Sequence, residues 1–309
     1  MAAYLHSVAY LPQEKSAGGK FVVQEPDTSP WLDVKQARRM SRLIKMSAVS
    51  AKMALKHANL VSPDMIVAGT GWGCMEDTGI FLDKLIAQKE EALNPTPFMQ
   101  STHNTLASQV ALLTQCLGYN QTYTHDGISF ESALADAMLL VDEHPGKKVL
   151  VGGMDEITAL IEALQSKFHL FDIATQGENA CWMVISSNPS AVRLVDVELM
   201  DTLVVGEVEA RTRTFLEKHG LLPGNPGTNS MDVLVGTSGH PATDGALHHW
   251  KAMATIPFKA SCGEFPTATA YAVATAFETL QTEASPRMIL IANSYFGMHH
   301  SLILLEKSE

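Results

Sequence analysis

Short apolar runs alternate with longer amphipathic stretches along this chain. The runs DMIVAGTG (64–71), KKVLVGG (147–153), ACWMVIS (180–186), MDVLVGTSG (231–239) and MILIANS (288–294) are rich in Val, Ile and Leu and end in Gly or Ser. Apolar runs of this length between turn residues predict buried strands. Apolar residues three and four apart predict helices over roughly 34–58, 75–91, 103–117, 129–143, 208–219, 243–253 and 265–281. In YTHDGISFESALADAM (123–138) the pattern changes from strand to helix around Gly127, which leaves Ser129 opening the helix. Alternation of the two element types predicts an α/β protein.

One pattern occurs twice. Asp64–Gly71, DMIVAGTG, lines up with Asp232–Gly239, DVLVGTSG, at an offset of 168, and helices and a second buried strand follow each copy, at 149–153 and 288–292. The repeat predicts two pseudo-symmetric α/β halves, approximately 1–190 and 191–309, within one unit spanning 1–309. The Gly-, Pro- and Asn-rich stretch KHGLLPGNPGTNS (218–230) reads as a loop before the second half's first strand.

Composition narrows the class. The chain is 46% hydrophobic and 18% charged, which fits a globular protein and excludes disordered and fibrous classes. No apolar run is long enough to cross a bilayer, and MAAYLHSVAYLPQEK lacks the basic start and apolar centre of a signal peptide, so a cytoplasmic protein is expected. Cys74, Cys116, Cys181 and Cys262 are far apart, without metal-type pairing, and are expected to be reduced, buried thiols with no metal site. The net charge of −11 argues against nucleic acid. A local exception is KQARRMSRLIK (35–45), where Lys35, Arg38, Arg39, Arg42 and Lys45 recur at helical spacing. It reads either as a solvated face or as a docking stripe for an anionic partner.

The ordered motifs YTHDGISFESALADAM, VLVGGMDEI, QGENACWMVIS, IPFKASCGEFPTATAYAVATAFETL and NSYFGMHHSLILL resemble those of the β-ketoacyl synthases of the thiolase fold, over about residues 64–305. GGMDE is similar to that family's Gly-Gly-x-Glu strand end, GENA to its Gly-Glu-Gly-Ala, and NSYFG (Asn293, Ser294, Tyr295, Phe296, Gly297) to its gating loop. The resemblance implies a layered αβαβα thiolase-like fold in a chain shorter than the usual member.

It also implies a chemistry against which the residues can be compared. In the family a cysteine at a helix N-terminus is acylated, and two histidines stabilise the developing charges of decarboxylative condensation. Alignment on Tyr123 and Ser132-Ala133 puts Ser129 at the cysteine's place. Lys259 matches the family lysine, Glu264 falls where the second histidine belongs, and Gly236 falls at the first. His240, four residues on, is a possible substitute. His299 and His300, read as a loop after NSYFG, either bond backbone or approach the cleft. Glu264 is read mainly as an ion-pair partner of Lys259, with a general base for Ser129 as the other reading. Losing the thiol and both imidazoles together removes condensation as a unit.

On this resemblance the chain is similar to chain-length factors, the non-condensing partners of active ketosynthases, and to the short ketosynthase-like subunits of aryl-polyene and flexirubin pathways. The implied partners are an active ketosynthase or a second copy of the chain, together with acyl carrier protein, and no cofactor is implied. Two alternatives stay open: a serine-dependent acyltransferase or hydrolase acting through Ser129, and an acyl-binding homodimer without chemistry. The segment 99–117, with Ser101, Thr102, Thr105, Ala107 and Ser108 among Leu106, Val110 and Leu113, reads equally as interface and as core. The 15 methionines suit either a tunnel or a core.

Overall fold

The computed structural model describes all residues except 1, 92, 169–174, 203, 223–229, 238–254, 283–285 and 309. The first half runs β1 (Ala3–Tyr10), β2 (Gln13–Lys15), β3 (Phe21–Val23), α1 (Val34–Ala37), α2 (Arg42–His57), β4 (Met65–Gly69), α3 (Met75–Ala87), α4 (Pro95–Ser101), α5 (Thr105–Thr114), β5 (Asn120–Tyr123), α6 (Ser129–Glu143), β6 (Val149–Asp155), α7 (Ala159–Phe168) and β7 (Asn179–Ser186). The second runs β8 (Val192–Asp201), α8 (Val205–Lys218), β9 (Met231–Gly236), β10 (Thr255–Pro257), α9 (Lys259–Cys262), α10 (Ala268–Leu280), β11 (Met288–Tyr295) and β12 (His299–Lys307).

Strand order carries the repeat. The main sheet runs β10-β9-β11-β12-β8-β1-β7-β6-β4-β5. Read inward from its two edges, β5-β4-β6-β7-β1 and β10-β9-β11-β12-β8 are the same arrangement. In each, the first three strands are parallel and the next two pairings antiparallel. The copies meet where β1 pairs antiparallel with β8, Ala3 opposite Leu194 and Leu5 opposite Val192.

Side-chain alternation along the strands builds the layers. Val67 and Val151 point to a central cluster with Phe130, Ala133 and Ala137 of α6, with α10, and with Ile289, Ile291 and Ile303 of the second half. Their neighbours Ile66 and Leu150 point the other way, against α2 and α5. In the second half Val233, Leu290 and Leu302 pack outward on Val208, Phe215 and Leu216 of α8. The result is α2/α5, half-sheet, α6/α10, half-sheet, α8, which is the αβαβα order. Strands covered on both faces must be apolar throughout, which is why their sequences read as unbroken runs.

The structure departs from the sequence reading in places. The helix expected over 34–58 is two helices, because Ser41 is extended (φ −65°, ψ 170°) and α2 starts afresh after it. Strands β1, β8 and β12 lie where no strand was expected, and His299 and His300 open β12 instead of lying in a loop. The helix expected over 243–253 and most of the loop expected over 218–230 lie outside the described residues. Among the described residues no helix is long and apolar enough to cross a membrane.

Candidate functional site

The turn between β5 and α6 sits at the ends of β4, β5 and β11. It is built from Asp126 to Ile128, a single 3₁₀ turn, and Asp126 has a left-handed backbone, φ +48°. A non-glycine residue there is strained, and such strain collects at functional positions. Gly127 is required by contact: a β-carbon at that position would run into the ring of Tyr295.

Ser129 lies in the first turn of α6, fully buried. Its Oγ donates to the carbonyl of Asp126 (2.7 Å) and accepts from the backbone N–H of His125 (2.9 Å). Both bonds are local, and together they close the turn. The hydroxyl is thereby committed to backbone, and among the described residues no side-chain base is hydrogen-bonded to it.

The carboxylate that reaches solvent at this turn belongs to Asp126, whose side chain is 48% exposed. Its Oδ2 lies 3.4 Å from Nε2 of His299, and the other ring nitrogen of His299 lies 3.3 Å from Oδ1 of Asp201 at the end of β8. His299 also stacks on Tyr295, with ring centroids 6.3 Å apart. Asp126 raises the imidazole's pKa above its ordinary value, against the opposing effect of burial, and Asp201 adds to the rise. The His299 ring, set between the two carboxylates, links the β5–α6 turn to β8 and β12. Neither Asp126 nor Asp201 was singled out from sequence.

The other expected positions converge on the same region and are filled. Lys259 Nζ lies 2.7 Å from Oε2 of Glu264 and donates to the carbonyl of Ser294 at 2.7 Å. Both charges are nearly excluded from solvent, so Glu264 serves as an ion-pair partner. Gly236 ends β9, and a side chain at that position would collide with the Phe258 ring and Asn293 Oδ1. A histidine there has no room. His240 lies outside the described residues. His300 is buried, with Nε2 3.1 Å from the carbonyl of Gly297. Asn293, Ser294 and Tyr295 belong to β11, and Phe296 (φ +51°) and Gly297 (φ +67°) form the tight turn into β12, closed by Met298 N–H donating to Tyr295 O. Two successive positive φ values are the type I′ geometry that suits the twist of a hairpin.

Two buried acidic hubs hold the surroundings. Asp155, at the end of β6, accepts from Thr70 Oγ1, Gly71 N–H and Trp72 N–H through Oδ1, and from Thr267 N–H and Oγ1 through Oδ2. Burial raises its carboxyl to about 7 against the pull of those donors. It ties the loop after β4 to the start of α10. Arg42 reaches from α2 to Glu178 (Nη1 to Oε2, 3.0 Å) and Glu156 (3.5 Å), and burial lifts Glu156 to about 7.

The four cysteines are all buried, and burial pushes the thiols of Cys74, Cys181 and Cys262 up, away from a nucleophilic thiolate. Among the described residues no cluster of three or more His, Cys, Asp or Glu side chains is arranged for a metal ion. The basic stripe is split by the break between α1 and α2. Arg42 turns inward, Lys45 pairs with Glu25 at 2.7 Å, and Lys35, Arg38 and Arg39 remain exposed.

Comparison with known proteins agrees with this fold. Residues 13–201 match the family model described as beta-ketoacyl synthase, N-terminal domain. No curated protein matches the sequence. The fold is similar to the type II polyketide ketosynthase–acyl carrier protein assembly AntDE:AntF (TM-score 0.81, 12% identity, 99% of each chain covered). It is also similar to the ishigamide ketosynthase/chain length factor (TM-score 0.78, 15% identity, 100% of each chain). A third similar structure is the ketosynthase ApeO in complex with its chain length factor ApeC from Xenorhabdus doucetiae (TM-score 0.70, 11% identity, 99% of this chain and 98% of that one).

Proposed function

Because this chain belongs to the β-ketoacyl synthase family, we propose that it is a non-condensing, chain-length-factor-like subunit that pairs with an active ketosynthase in polyketide or polyene biosynthesis. The observation that carries the reading is the state of the β5–α6 turn. It presents the Asp126 carboxylate, clamped by His299, while the Ser129 hydroxyl is spent on backbone. A carboxylate beside an imidazole is a poor stand-in for a thiolate beside a helix N-terminus. With Gly236 closed off and Glu264 neutralising Lys259, none of the three condensing roles has a free group among the described residues to fill it.

The surface supplies a place for the partner. Among the described residues β5 is the edge of the sheet, paired only with β4; Leu117, just before it, is 98% exposed, and Leu139 of α6, the helix packed on β5, is 50% exposed. An open edge flanked by exposed leucines is suited to extending the sheet into a second subunit. On this reading the heterodimer works in the cytoplasm, and acyl carrier protein delivers chains to the ketosynthase's cysteine while this subunit shapes the space beside it. Co-expression of the chain with a ketosynthase encoded beside its gene tests the pairing. The wild-type chain is expected to co-purify in a one-to-one complex, and Leu117→Arg with Leu139→Arg to release it as a folded chain with unchanged circular dichroism. A complex indifferent to both charges would move the interface elsewhere.

A further inference from the structure

The outward face of α5, on the side away from the sheet, forms a groove of about 500 Å³ with α1 and α4. The buried residues of α5, Leu106, Ala107 and Val110, pack on the half-sheet, so the groove lies on the helix's opposite face. Its lining is apolar along most of its length, with Met40, Met99, Leu112 and Leu113. Met99 and Leu112 keep 62% and 72% of their surface exposed there. Lys35 and Arg39 border it, both exposed and without an ion pair among the described residues. Arg42 and Lys45, by contrast, both turn to carboxylates.

The walls are fastened to one another. Gln100 Nε2 donates to the carbonyl of Arg39, which joins α4 to the end of α1. Thr105 Oγ1 donates to Met99 O (2.7 Å), and Lys52 Nζ donates to Leu113 O (3.1 Å), joining α5 to α4 and α2. The groove is therefore preformed. Its volume matches a small-molecule site. Two cations at one part and thioethers and leucines along the rest complement an amphipathic anion.

We propose that this groove binds a fatty acid, its carboxylate held between Lys35 and Arg39 and its alkyl chain lying over Met40, Met99, Leu112 and Leu113. The guanidinium fork of Arg39 suits a carboxylate, and methionine side chains adapt to a flexible chain. The site is independent of the ketosynthase pairing proposed above.

Displacement of a fluorescent fatty acid, 11-(dansylamino)undecanoic acid, from the full chain by dodecanoate tests it. One saturable equivalent is expected. Lys35→Glu/Arg39→Glu should weaken binding at least tenfold, and Leu112→Glu should do the same while Leu117→Arg leaves it unchanged. Dodecanol and dodecyltrimethylammonium should compete at least tenfold less well than dodecanoate. Binding indifferent to both groove variants, equal competition by the cationic amphiphile, or displacement by unacylated carrier protein in preference to dodecanoate would each overturn the proposal. Thermal unfolding of the variants near the wild-type midpoint shows that any loss is local to the groove.

Discussion

Ser129 is the residue at which sequence and structure pull apart most usefully. Its place at the head of α6 was legible, because the period changes from strand to helix beside Gly127. Its role was not: whether a hydroxyl faces a substrate or its own backbone depends on three residues of turn geometry. Ser129→Ala removes two local hydrogen bonds, so a loss of about 1 kcal/mol in unfolding free energy is expected. Assembly with a ketosynthase and the activity of the complex are expected to be unchanged. A denaturant titration and a carrier-protein elongation assay check the two halves of that statement. Asp126 escaped notice because its partners His299 and Asp201 stand 173 and 75 positions away in the chain, on β12 and β8. Lys259 and Glu264 were readable as a pair because they lie five residues apart around a single helical turn.

Among elements, those bounded by their own pattern were legible and those bounded by their neighbours were not. Helix α6 matches its sequence range because an apolar face and a glycine turn define it. Strands β1 and β12 sit at the middle of the sheet, yet AYLHSVAY and HHSLILLEK carry His and Ser that only their pairing makes tolerable. Ser186 Oγ bonds His6, and Ser301 donates to Glu131 at 2.8 Å. Titration belongs to this scale, because the shifted groups bridge elements. Glu156 and Asp155 have carboxyls raised to about 7 from 4.5 and 3.8, so the folded state binds protons that the unfolded chain releases between those values. Stability therefore falls as pH rises from about 4 to 7. His299 has a raised pKa, so its contribution is complete below its unfolded value of 6.5 and is lost as pH rises through the folded value. All three act in one direction. The unfolding midpoint is expected to drop between pH 5 and pH 8, and Glu156→Gln is expected to flatten that slope; thermal scans across the range check it.

At the scale of the molecule, the repeat seen in eight residues of sequence is a repeat of five strands. DMIVAGTG and DVLVGTSG are β4 and β9, equivalent positions in the two half-sheets. The equivalence was legible because both strands are covered on two faces and tolerate little but Val, Ile, Leu and Gly. The seam at β1 and β8 was not, since no local pattern announces a pairing between strands almost 190 residues apart. On the proposed reading the first half offers the edge at β5 to the partner, and the second braces the turn through β11, β12 and Asp201. On the proposed reading this chain supports condensation and is never acylated itself. Intact-mass analysis of the complex with a ketosynthase, after incubation with acyl-loaded carrier protein, tests it most directly. The expected result is an acyl adduct on the ketosynthase alone, with this chain at its native mass in both wild type and Ser129→Ala. An acyl adduct on this chain, lost in Ser129→Ala or in Asp126→Asn, would contradict the account and make the turn a working nucleophile.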